Sequence, residues 1–241
     1  MDLMRHADAV VPDERLGRDH PPYKPTYLFG GEFLNDNHRF LATCPVRGER
    51  LDLGIEGWLR REDALKLYEL AYFSPTDILE LGCFKGLSTA ILSQANHDVG
   101  LKNRIVTIDL EPICSQLTFN NLAARQLIEG TEVLCGDAIA LGRRLIAERR
   151  RFGLLFVDHS HAYQPVYDVC QLADDLVVPG GFCLFHDYND RRNLRSDDDA
   201  YGVVKAVRDG LNNHYFEFYG IFGCTALFRR TSTPARDNNR A

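Results

Sequence analysis

The stretch DILELGCFKGLST, residues 77–89, begins as an apolar strand and ends as the first turn of a helix. Between the two lie Gly82 and Gly86, just after an acid, Glu80. A strand, a glycine turn and a helix start, in that order, form a βα unit. Glycines let the backbone turn sharply and lie close to a ligand. A helix beginning near Gly86 points free N–H groups at that ligand. The stretch therefore predicts both a fold and a binding crevice.

The same alternation continues outward. Apolar strands are expected at 76–82, 104–110, 131–136, 152–158 and 180–187, each followed by a helix, at 87–95, 113–127, 138–150, 165–177 and 201–211. YFEFYGIF (215–222) and TALFRR (225–230), two residues apart, read as a terminal hairpin. Strands that are almost uniformly apolar belong to a parallel sheet covered on both faces. The expectation is an α/β, Rossmann-like fold: seven strands, one of them antiparallel, helices on both faces and a C-terminal hairpin. Upstream, GWLRREDALKLYELAYF (57–73) carries helical spacing from Trp58 and Leu59 to Phe73, and Ser74-Pro75 stops it. Residues 26–57 give mixed signals and the first 25 are polar. We divide the chain into an arm or lid (1–57), a main domain (58–230) and a disordered tail (231–241).

Composition narrows the function. Of 241 residues 45% are apolar and 26% charged, ordinary globular values that allow a sizeable core. Net charge is −6, so no chain-wide basic field favours nucleic acid or anionic membrane. Arg143, Arg144, Arg149, Arg150 and Arg151 read as a solvated helix end. The seven cysteines are odd in number and form no CxxC, which fits a reducing, cytoplasmic setting. The N-terminus has no apolar signal region, and no window approaches the roughly 20 apolar residues that span a bilayer.

Two ligands suit the 77–89 turn. A dinucleotide wants G-x-G-x-x-G. Here the spacing is G-x-x-x-G, Phe84 stands where a second glycine would admit a pyrophosphate, and Glu80 would repel phosphate. S-adenosylmethionine carries an ammonium, a carboxylate and a sulfonium, and an acid beside a helix N-terminus suits it better. Asp109 ends the second strand, 27 residues after Gly82, where an acid accepts from ribose hydroxyls. Asp137 follows the third strand and reads equally as an adenine contact or a helix N-cap.

At the next two strand ends lie Asp158, with His159, His161 and Tyr163 after it, then His186 and Asp187, with Asn189 and Asp190 beyond. Neighbouring strands would bring Asp158, His186 and Asp187 to one cation. Carboxylates suit Mg²⁺; an imidazole shifts the preference toward Mn²⁺, Fe²⁺ or Zn²⁺. The rival reading is a hydrogen-bonded pair closing the sheet edge. A neutral imidazole is also matched to take a proton from an attacking hydroxyl near pH 7.

E-L-G-x-x-x-G-x-S-T, an acid ending strand two, G-D-A, VDHSHAY and PGGFCLFHDY, in that order, resemble the class I S-adenosylmethionine-dependent methyltransferases. Among these they look most like the branch of catechol O-methyltransferase and the macrocin-type sugar O-methyltransferases. The resemblance covers about residues 57–230. It implies a cofactor site at Glu80, Gly82, Phe84, Gly86, Ser88, Asp109, Asp137 and Asp158. It implies Mg²⁺ held by Asp158 and by the adjacent pair 28 residues on, His186-Asp187, where the relatives carry an acid in place of His186. It also implies a base three residues after the first metal acid, His161, with His159 as rival; Asp158 and His161 are the expected catalytic pair.

Tyr163, Tyr188 and Tyr201 are candidate pocket residues, as are Arg191, Arg192 and Arg195 in the segment 188–200 that, with 1–57, would cover the acceptor. The expected reaction is metal-assisted O-methylation of a small-molecule hydroxyl, on a natural-product sugar or phenol. The alternatives are non-methylating chemistry on the same cofactor, or a catalytically silent partner subunit. TYLFGGEFL (26–34) is a candidate homodimer contact.

Overall fold

A computed structural model describes residues 33–194 and 200–231. The expectations for 1–32, for Arg195 and for the tail from 232 lie outside these residues. The first elements are α1 (Asp36–Thr43) and a short ribbon of β1 (Val46–Arg47) and β2 (Arg50–Leu51). Then come α2 (Arg61–Tyr72), β3 (Ile78–Leu81), α3 (Leu87–Asp98), β4 (Ile105–Asp109), α4 (Pro112–Ala124), β5 (Thr131–Cys135) and α5 (Ala138–Ala147). They are followed by β6 (Phe152–Val157), α6 (Tyr163–Leu176), β7 (Val177–Phe185), a 3₁₀ turn (Arg191–Leu194), α7 (Val203–Gly210), β8 (Phe216–Phe222) and β9 (Thr225–Arg230).

Seven strands form one sheet in the order β5-β4-β3-β6-β7-β9-β8. β3 to β7 pair in parallel, and β9 runs antiparallel between β7 and β8. The chain builds outward from β3 to β5, then returns to add β6 and β7 on the other side. That reversal between β3 and β6 opens a crevice at the strands' carboxyl ends.

Successive strand residues point to opposite faces. Leu79, Leu81, Val106, Ile108, Leu155, Val157 and Phe185 enter one core, with residues of α5, α6 and α7. Ile78, Ile105, Leu154, Phe156 and Leu184 enter the other, with residues of α1, α2 and α3. The same alternation turns Glu80 inward with Ile78, beneath α3.

Three details differ from expectation. Residues 33–57, which gave no clear signal, contain α1, β1 and β2, and bury Leu41, Ala42, Leu51 and Ile55 in the second core. Trp58 and Leu59 precede α2 rather than belonging to it; Trp58 is exposed, with the Arg50 guanidinium 3.6 Å over its ring. β7 starts at Val177, three residues early, because Val177 pairs with Phe152 and a register shift before Leu154 absorbs the Pro-Gly-Gly that reads as a break. Among the described residues no helix is long and apolar enough to cross a membrane.

Candidate active site

Backbone pairing carries the sheet one residue past its strands and so aligns the functional residues on a single rim. The Gly82 amide donates to the Ile108 carbonyl (2.7 Å), Asp158 to Leu81 (2.7 Å), His186 to Val157 (3.0 Å) and Gly136 to Asp109 (2.9 Å). Gly82 is where the two sides of the rim touch. Its φ is +92°, and a Cβ there would sit 2.3 Å from the Asp158 carbonyl oxygen and 2.5 Å from the His159 Cα. Only glycine tolerates both the backbone angle and that approach.

On the β3–β5 side the groups are mostly backbone. Phe84 holds φ at +47°, unusual for a bulky residue. Its amide donates to Asp109 Oδ2 (2.8 Å), while the Glu111 amide donates to Oδ1 (3.0 Å). Asp109 thus pins the turn after β3 to the turn after β4 and keeps its carboxylate at the rim. Phe84 and Leu110, on either side of this acid, expose their apolar side chains. Gly86 is the N-cap of α3, with Ser88 buried two residues on. Glu80 is fully buried, and Thr89 and Thr107 both donate to its Oε2 (2.6 Å each). Its Oε1 makes no well-aligned hydrogen bond among the described residues. Burial pushes the Glu80 carboxyl up to about 7, with the Ser88, Thr107 and Thr89 hydroxyls easing the charge. Asp137 is the N-cap of α5, its Oδ1 accepting from the Ala140 amide at 2.8 Å. The capping half of the two-way reading is therefore present.

On the β6–β7 side the groups are side chains. His186 Nδ1 lies 3.0 Å from Asp158 Oδ1 and 3.6 Å from Asp187 Oδ1. His161 Nε2 lies 3.1 Å from Asp187 Oδ2 and 3.5 Å from Asp158 Oδ1. Burial alone would raise Asp158, but the His186 and His161 imidazoles outweigh it and hold the carboxyl at about 2. Asp187 sits at φ +52°, and the Asn193 side-chain amide holds its carbonyl at 2.8 Å. The Tyr201 ring stacks on His161, centroids 4.9 Å apart and planes 5° apart, and the Gly202 amide donates to the His161 carbonyl at 2.7 Å. Arg192 lies 3.8 Å over the Tyr201 ring and is bonded through two nitrogens to Asp190. His159, the rival base, has both ring nitrogens buried without a hydrogen bond among the described residues, and burial lowers its pKa. Tyr188 is fully buried in the first core, edge-on to Phe228. Tyr163 stacks on Tyr167 at the start of α6.

The donor set fits a cation. Asp158 Oδ1, His161 Nε2 and His186 Nδ1 all lie within 4.8 Å of one another. Both nitrogens are buried and lack an aligned hydrogen-bond partner among the described residues, although carboxylate oxygens stand 3.0–3.6 Å away. Imidazole nitrogens and carboxylate oxygens gathered this closely can also share one cation. Two residues that the sequence reading passed over complete the cluster from behind. Cys224 Sγ is 3.2 Å from His186 Nε2, and Asp63 holds Cys224. Their only sequence signal is an acid at the head of an apolar helix and a cysteine in a hairpin turn, neither of which points to the other.

Comparisons with known proteins agree with this geometry. Residues 79–188 match the family model described as a methyltransferase domain. No curated protein matches the chain. Among solved structures, the O-methyltransferase TomG from Streptomyces achromogenes, involved in tomaymycin synthesis and solved in complex with SAM, has a TM-score of 0.60 at 18% identity. That match covers 96% of this chain and 100% of TomG. An O-methyltransferase from Bacillus cereus in complex with SAH has a TM-score of 0.56 at 16% identity, over 95% of this chain and 96% of that one. At such identities the likeness is one of fold. Residues 79–188 thus match a methyltransferase domain, and the described fold is that of O-methyltransferases solved with SAM and SAH.

Proposed function

We propose that the protein moves the methyl group of S-adenosylmethionine onto a hydroxyl of a small molecule, a natural-product sugar or phenol, with a divalent cation at Asp158, His186 and Asp187. One observation carries the reading. Gly82, in the cofactor turn, packs directly on the backbone of Asp158 and His159, so donor loop and ionisable cluster share a wall. A methyl group presented from the first meets a hydroxyl held by the second. TomG, which spans nearly the same length and serves a natural-product pathway, supports the acceptor class.

Each side chain then has a task. Asp109 accepts from the ribose hydroxyls, and the exposed Phe84 and Leu110 offer the base an apolar contact. Asp137 remains at hand for the adenine amino group. Glu80 Oε1 and the free amides at the start of α3 divide the cofactor's ammonium and carboxylate between them. His161 Nε2 takes the acceptor's proton. Asp158 and Asp187 stabilise the imidazolium that results, and Tyr201 keeps the ring in plane. The cation, when bound, lowers the hydroxyl's pKa and orients it. In-line placement of oxygen, carbon and sulfur, roughly 3 Å apart at attack, supplies much of the rate. Among the described residues, those after β7, Arg192 over the Tyr201 ring included, border the acceptor.

The test is transfer of labelled methyl from S-adenosylmethionine to a panel of phenols and sugars, with wild type and His161→Ala. Acceptor-dependent labelling that falls in the variant supports the reading. Cofactor turnover with no labelled acceptor would move the protein to non-methylating chemistry.

A further inference from the structure

The cluster at β6 and β7 rests on a second layer that the proposed reaction does not explain. Asp63, in the first turn of α2, is fully buried 161 residues before its partner Cys224. Its carboxylate accepts from the Cys224 amide (2.9 Å) and the Thr225 hydroxyl (2.7 Å) at Oδ1, and from the Arg60 amide at Oδ2 (2.9 Å). The Cys224 thiol reaches Oδ2 at 3.5 Å. The β8–β9 turn is pressed onto this acid: a Cβ on Gly223 would lie 2.5 Å from the carboxyl. Burying a carboxylate is costly unless it is fully bonded. This one is bonded largely by the hairpin turn, and the result is to place one sulfur atom 3.2 Å from His186 Nε2.

The direction of the hydrogen bonds follows from what each group can do. A carboxylate only accepts, so the thiol donates its S–H to Asp63. The sulfur lone pairs then accept Nε2–H from His186. With Nε2 so engaged, Nδ1 is the nitrogen turned to the pocket, its proton facing Asp158 Oδ1 (3.0 Å), and a cation bound there would take that proton's place. His186 is 3% exposed and its Nδ1 has no aligned hydrogen-bond partner among the described residues. The open side of the pocket thus offers a cation the His186 nitrogen and the Asp158 and Asp187 carboxylates, with His161 Nε2 beside them as the base. Mg²⁺ favours oxygen alone, whereas Mn²⁺, Fe²⁺, Co²⁺ and Zn²⁺ accept imidazole readily.

We propose that Asp63 and Cys224 are positioning residues that present His186 Nδ1 to the pocket, and that the resulting nitrogen-bearing set selects a transition-metal dication over Mg²⁺. The proposal rests on the metal site of the proposed function and deepens it. The test is calorimetric titration of the full chain with Mn²⁺ and with Mg²⁺, beside Co²⁺ absorption spectra, on wild type, Cys224→Ser, Cys224→Ala and His186→Asp, with melting curves as a check on folding. Wild type should favour Mn²⁺, and His186→Asp should narrow the Mn²⁺/Mg²⁺ affinity ratio at least about tenfold. Cys224→Ala should weaken Mn²⁺ about tenfold and alter the Co²⁺ spectrum, while Cys224→Ser, which keeps a hydroxyl relay, stays near wild type. If Cys224→Ala does not fold, the His186→Asp ratio and the Cys224→Ser spectrum decide. An unchanged ratio in His186→Asp, or wild-type Mn²⁺ binding by folded Cys224→Ala, overturns the proposal. No metal binding with methyl transfer intact removes it and leaves the transferase reading. Selective Mn²⁺ binding without methyl transfer removes the transferase reading and leaves the proposal standing.

Discussion

The two sides of the rim are built by different means. At β3, β4 and β5 the site is mostly backbone: the Phe84 and Glu111 amides on Asp109, the free amides of α3, and the Gly82 turn. All of it comes from one stretch of chain, residues 80–137. At β6 and β7 the site is a ring of side chains, Asp158, His161, His186 and Asp187, propped by Tyr201, Cys224 and Asp63 from distant segments. The first kind of site tolerates little change, because glycine geometry and amide direction have few substitutes. The second can alter its chemistry by a single residue, as His186 does where relatives are expected to carry an acid.

The sharpest way to break this contrast is at the contact between the sides. Gly82→Ala should cost about 3 kcal/mol or more, because the new Cβ meets Asp158's backbone at a φ that disfavours it. Thermal melting with and without S-adenosylmethionine would show lost stability and lost ligand stabilisation together. His161→Ala should leave the cofactor side intact. Its expected effect is a fall of about 100-fold or more in kcat with cofactor affinity near wild type, read from single-turnover transfer and calorimetry. An equal loss of affinity would mean the sides are not separable.

Glu80 gives a smaller effect, read through pH. Its folded value of about 7 lies above its ordinary value of 4.5. Between the two the folded chain holds a proton that the unfolded chain has released, so this group's contribution to stability falls as pH rises from 4.5 to about 7. The slope is at most about 1.4 kcal/mol per pH unit, and it should vanish in Glu80→Gln. Denaturant melts across that range check it; a variant with the wild-type slope would mean the carboxyl is not held as described. Smallest is Asp137→Ala, which removes the α5 N-cap and should cost about 1 kcal/mol by the same melts.

Legibility in the sequence follows the same division. The strands that fill the sheet are continuous apolar runs, so β3, β4, β5 and β6 fall within a residue or two of expectation. Gly82, Gly86 and Asp109 announce themselves through spacing, because a βα turn encodes its geometry within about thirty residues. Asp158, His161, His186 and Asp187 are found as strand-end residues, and parallel pairing does bring them together. What stays hidden depends on long-range contact. The grip of Asp63 on Cys224 spans 161 residues, and no local pattern marks it. β7's early start depends on a register shift that only its partner strand defines. α1 lacks a long apolar period because much of it faces solvent and only His38, Leu41 and Ala42 are buried.

In the proposed function, the crevice between the Gly82–Gly86 turn and Asp109 receives S-adenosylmethionine. Isothermal titration of the full chain with S-adenosylmethionine and, separately, with a pyridine dinucleotide tests it most directly, with Asp109→Ala alongside. The expected result is one S-adenosylmethionine per chain, at least about tenfold weaker binding in the variant, and no heat from the dinucleotide. No binding of S-adenosylmethionine, or tighter binding of the dinucleotide, would contradict it.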